Sequence, residues 1–144
     1  MQSTSMVFVI GRILMTVATL IYGIIPPFVD LTETHVFHPD WTPHARMHMV
    51  WLFGTNSSLA VIALFFLWLY KEDREFGIRL AGALGLCVYG GFMLSAATTS
   101  LYGGSLSDKG GVPPLMGMDA NIFGFSLGLL LLILGWSLAR TRSA

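Results

Sequence analysis

Four long apolar runs dominate this sequence and leave few folds open to it. They fall at about 6–25, 44–70, 76–101 and 119–138. Each matches or exceeds the roughly 20 residues that an α-helix needs to cross a bilayer. The runs are continuous rather than alternating, which predicts spanning helices and not barrel strands. The expected fold is all-α: one integral membrane four-helix bundle covering residues 1–144. Composition agrees, with 54% hydrophobic and only 11% charged residues in 144. A water-soluble domain of this size cannot cover that much apolar surface.

Charge sets the expected orientation. Lys71, Arg74 and Arg79 flank the second connection, Arg140 and Arg142 follow the fourth run, and Arg12 lies early in the first. Only Arg46 and Lys109 fall on the other side. The excess of Lys and Arg predicts cytoplasmic N- and C-termini. Trp68, Tyr70 and Trp136 then suit the inner interface, and Tyr22, Trp41, Trp51 and Tyr102 the outer one. Met1 to Ser5 carry no Lys or Arg, so the first run reads as a retained helix and not as a signal peptide. The net charge is zero, which gives no basic surface for nucleic acid. Cys87 is the only cysteine, so neither an internal disulfide nor a cysteine metal cage is available.

The unusual residues gather on the outer side. All six prolines (26, 27, 39, 43, 113 and 114) lie in the two outer connections. All four histidines, His35, His38, His44 and His48, lie in or just after the first of these. Asp30, Glu33, Asp40, Asp108 and Asp119 lie on the same side or at its edge. Proline restricts the backbone, so a rigid polar cap over the bundle is expected, with any site nearby.

Thr42 and Pro43 make a natural N-cap and first helical residue for the second span. His44 and His48 then share one helix face, and Trp51 and Thr55 continue that stripe inward. Two readings stand for each histidine: a ring hydrogen-bonded to loop backbone, or an imidazole held for a metal or a proton. His48 lies about one turn deeper, where an unpaired polar group costs more. Asp119 is either the N-cap of the fourth span or an acid facing the histidines. Thr55, Asn56, Ser57 and Ser58, with Ser95, Thr98, Thr99 and Ser100, suggest a polar pocket in the outer half of the bundle. Tyr89 and Tyr102 would offer it hydroxyls. Gly124 and Gly128 form a GxxxG, a helix-contact signal.

Three stretches resemble the styrene oxide isomerases, small four-helix membrane enzymes. Ala45-Arg46-Met47-His48 is similar to that family's Ala-Arg-x-His. Arg79-Leu80-Ala81-Gly82 is similar to its Arg-Leu-x-Gly. Asp119-Ala120-Asn121-Ile122-Phe123-Gly124-Phe125 resembles its Asp-Ile-Phe-x-Phe with two extra residues. The resemblance implies haem b, a trimer and a bacterial inner membrane. It makes His48 the iron ligand; His44 and Arg46, its neighbours on the helix, are further candidates to contact the cofactor. It further implies that ferric haem acts as a Lewis acid on an apolar epoxide, which rearranges to a carbonyl compound. The family's asparagine in the second helix falls at a different spacing here, Asn56 lying two residues further on. Tyr89 is the nearest aromatic hydroxyl in the third helix, where the family's tyrosine and aspartate have no equivalents at the expected spacing. The catalytic set expected from these residues is Asp119, Asn56 and Tyr89.

Two other functions compete. One is a metal-free membrane isomerase or cyclase using His44, His48 and Asp119 as acids and bases. The other is a non-enzymatic haem- or lipid-binding bundle. A transporter is disfavoured, because the chain has no internal repeat and no broken helix with a charged midplane site.

Overall fold

A computed structural model describes residues 6–107 and 111–140. Asp108, Lys109 and Arg142, used above for charge, lie outside the described residues. Four long helices form: α1 (Met6–Asp30), α2 (Pro43–Trp68), α3 (Arg74–Ala97) and α5 (Ala120–Arg140), with a short α4 (Thr99–Tyr102). All four long helices are long and apolar enough to cross a membrane. Large apolar side chains project outward from each of them, including Ile13, Val61, Leu94 and Leu130. A surface of that kind suits lipid, not water.

The helices run alternately up and down. Gly11 of α1 abuts Ala139 of α5, Gly23 abuts Ala60 of α2, and Gly85 of α3 abuts Leu132 of α5. Helix α2 packs on α1 and α3, and α5 packs on α1 and α3, so α2 and α5 occupy opposite corners. The interior is built from Met15, Ala18, Tyr22, Ala63, Tyr89 and Leu132.

Helix α1 is longer than the sequence predicts. The apolar run was expected to end at Pro26-Pro27, yet the helix passes through both prolines to Asp30. Pro27 has no N–H to give the carbonyl of Gly23, four residues back. The Ser57 hydroxyl of α2 donates to that carbonyl at 2.8 Å instead. A hydroxyl from a neighbouring helix thus restores the lost bond, a common remedy where water is scarce.

Other boundaries follow local chemistry. Thr42 caps α2, its Oγ1 accepting the Ala45 N–H at 3.2 Å, with Pro43 at the first turn, as the sequence predicts. Asp73 caps α3 by accepting the Phe76 N–H at 2.9 Å. The third run was expected to continue to Leu101 but breaks at Thr98, whose Oγ1 donates back to the Leu94 carbonyl at 2.8 Å. A single turn, α4, follows and stops at Gly103, whose φ of 68° suits a residue without a side chain. Before α5, Leu115 and Met118 exchange backbone hydrogen bonds across Met116 and Gly117, both at positive φ.

Candidate functional site on the outer face of α2

The spacing of His44 and His48 brings them together as expected. Their Nε2 atoms lie 3.0 Å apart, with ring centroids separated by 4.5 Å. One ring donates a proton and the other accepts it. The His48 ring also stacks on Trp51 at 5.8 Å, with the planes 29° apart. This face looks away from the bundle: both histidines are exposed, and Trp51 is 63% exposed. One turn deeper, a Cβ added at Gly54 would meet nothing. The result is an open, largely apolar helix face that carries two hydrogen-bonded imidazoles.

Arg46 stands elsewhere. Two residues from each histidine, it is turned roughly 200° around the helix from them. Its Nη2 donates to the His38 carbonyl at 3.0 Å and ties the outer connection to α2. Its buried Nε has no hydrogen-bond partner among the described residues.

Asp119 sits at the head of α5, across the bundle from α2. Its Oδ1 accepts the N–H groups of Asn121 at 2.9 Å and Ile122 at 3.2 Å, which is the N-cap geometry. Tyr89 is fully buried between α1 and α5. Its hydroxyl donates to the Ala18 carbonyl at 2.6 Å, and its ring meets Tyr22 and Phe125 edge-on. Tyr22 therefore belongs to the core and not to the outer interface. Asn56 is half-buried on α2, with its backbone carbonyl beside Gly23. Within one chain, Asp119, Asn56 and Tyr89 do not converge on the histidine pair.

The expected polar pocket does not gather either. Ser57 serves Gly23, Ser58 bonds the Gly54 carbonyl at 2.7 Å, and Ser95 pairs with the Tyr102 hydroxyl at 2.8 Å. These hydroxyls satisfy nearby groups, as is usual in apolar helices.

One further pair forms that no sequence spacing announces. The His35 Nε2 lies 3.5 Å from the Asp30 carboxylate, while its Nδ1 is 2.9 Å from the Thr34 hydroxyl. The turn after α1 folds His35 back onto the helix end, so no regular spacing announces the contact. Trp41 lies edge-on to this ring at 6.5 Å.

Among the described residues, no group of three or more His, Cys, Asp or Glu is placed to hold a metal ion. Among the described residues the histidine pair offers two ligands, where a closed zinc site takes four. It does fit an iron that brings four nitrogens of its own, because such an iron asks the protein for one accessible imidazole. No family model, curated protein or solved structure matches this chain.

Proposed function

We propose that this chain is an integral membrane isomerase that binds haem b through His48 and rearranges an apolar epoxide to a carbonyl compound. Both termini face the cytoplasm, in a bacterial inner membrane. The observation that carries the reading is the exposed His44–His48 pair with Trp51 stacked beside it. The resemblance of Ala45-Arg46-Met47-His48 to the Ala-Arg-x-His of styrene oxide isomerases supports it from the sequence side.

His48 presents its imidazole from a rigid helix. The His44 Nε2 is hydrogen-bonded to the same His48 nitrogen, so iron ligation would require the exposed His44 ring to turn outward. Trp51 offers a flat apolar wall for a flat apolar group. When bound, ferric haem supplies Lewis-acid polarisation of the epoxide oxygen. The chain itself keeps this face apolar, with Met47 and Leu52 exposed beside the pair. Such a face admits an oily substrate and disfavours water. Because the face lies outside the bundle, neighbouring copies of the chain would enclose it, in keeping with a trimer.

An absorption spectrum of detergent-purified protein, taken beside His48→Ala, tests this. The expected result is an intense Soret band that is lost or shifted in the variant. A colourless wild type after expression with ample haem overturns the haem reading.

The short Nε2–Nε2 contact favours one alternative, a metal-free isomerase. A hydrogen-bonded imidazole pair holds a proton between its rings and can pass it on. That reading predicts a colourless protein whose turnover depends on both His44 and His48.

A further inference from the structure

The end of the bundle opposite the histidines carries a cleft of about 220 Å³ between α1 and the α2–α3 connection. Arg12, Lys71 and Arg74 line it together with Phe8, Trp68 and Tyr70. Among the described residues, no carboxylate lines it. Of the three acids of the adjoining connection, Asp73 caps α3, Glu75 pairs with Arg79, and Glu72 is exposed and does not line the cleft.

Arg12 is the anchor. Its Nε donates to the Leu67 carbonyl at 2.8 Å, and its Nη2 donates to the same oxygen. Its guanidinium carbon lies 4.0 Å from the centre of the Trp68 ring. Trp68 is itself fixed by a 2.8 Å hydrogen bond from its Nε1 to the Thr16 hydroxyl. Leu67 is near the C-terminus of α2, where carbonyls lack helical partners. Arg12 thus caps α2 with part of its fork, and the remaining N–H groups have no hydrogen-bond partner among the described residues. Lys71 and Arg74 form no ion pair among the described residues. Three positive charges therefore share one cleft with unused donors.

We infer that this cleft binds the phosphate of an anionic phospholipid headgroup. The occupant follows from charge and position. A phosphate diester offers the oxygens that guanidinium forks bind best. The cleft is too small for a whole lipid, and its aromatic wall continues into the outward-facing Phe65, Leu69 and Phe76, along which acyl chains can lie. Basic clefts at the cytoplasmic ends of membrane helices suit such headgroups. The inference rests on the membrane reading above, and neither on haem nor on isomerase activity.

Native mass spectrometry on the intact chain, in mild detergent with equal phosphatidylglycerol and phosphatidylcholine, tests it. The wild type should retain phosphatidylglycerol preferentially. Lys71→Gln and Arg74→Gln should each weaken that preference about fivefold. Arg74→Lys, which keeps the charge, should retain most of it. Arg140→Gln, at the same end but stacked on Trp136, should leave it unchanged. Equal retention of both lipids, or an Arg140→Gln loss as large as that of Arg74→Gln, overturns the inference. Displacement of phosphatidylglycerol by an equal concentration of inorganic phosphate would also overturn it, assigning the cleft to small anions. A colourless or inactive preparation bears only on the proposed function, because lipid retention is read independently.

Discussion

The α1–α5 seam and the outer face of α2 both carry glycine, and they use it in opposite ways. At the seam, a Cβ on Gly11 would run into the backbone of Gly135 and Ala139, and one on Gly135 would meet the Gly11 carbonyl and the Met15 nitrogen. The two helices touch backbone to backbone, as small residues allow in membranes. On α2, Gly54 faces open space, and the polar residues above it, His44 and His48, hydrogen-bond each other beside the exposed Trp51. One surface is completed by the chain itself and the other is not. Stability belongs to the first, and binding is proposed for the second.

Substitutions should separate the two surfaces. Gly135→Val should do the most harm, costing about 3 kcal/mol through overpacking against backbone that cannot yield. Thermal unfolding in detergent would register the loss, and a near-normal melting point would mean the seam is looser than it looks. Arg12→Gln should come next, at about 2 kcal/mol, since it removes charged hydrogen bonds to Leu67 and the stacking on Trp68. Ser57→Ala should cost about 1 kcal/mol by leaving the Gly23 carbonyl unpaired beside Pro27. Restoring a helical N–H with Pro27→Ala in the same background should recover that loss. Gly54→Ala should have the smallest effect on the fold, a gain of about 0.5–1 kcal/mol from helix propensity alone. Destabilisation by Gly54→Ala comparable to that at Gly135 would show that another chain packs closely there.

The sequence made the helices legible because each span is a continuous apolar run with a recognisable start, such as Thr42-Pro43 or Asp119. It also showed the histidine pair, since a four-residue spacing on a helix is a geometric statement. Contacts between helices were less visible. Ser57 rescues α1 from 34 residues away, so Pro26-Pro27 read as a stop. Tyr89 is a core residue, but α3 is about equally apolar on every side, so its buried face leaves little periodic trace; Tyr22 does fall on a helical stripe with Gly11, Met15 and Ala18. The Asp30–His35 pair depends on a turn whose course no regular pattern predicts. Asp119 illustrates the remaining ambiguity: the same carboxylate suits a cap or an acid, and its bonds to Asn121 and Ile122 place it as a cap.

The proposal that the open α2 face is where chemistry happens is tested most directly by turnover of an aryl epoxide. Wild type, His48→Ala, Asp119→Asn and Tyr89→Phe would be compared in one preparation, each checked for helical content. The account predicts carbonyl product from the wild type, none from His48→Ala, and substantial activity in folded Asp119→Asn and Tyr89→Phe. Undiminished activity in His48→Ala, or loss confined to Asp119→Asn and Tyr89→Phe, would contradict it.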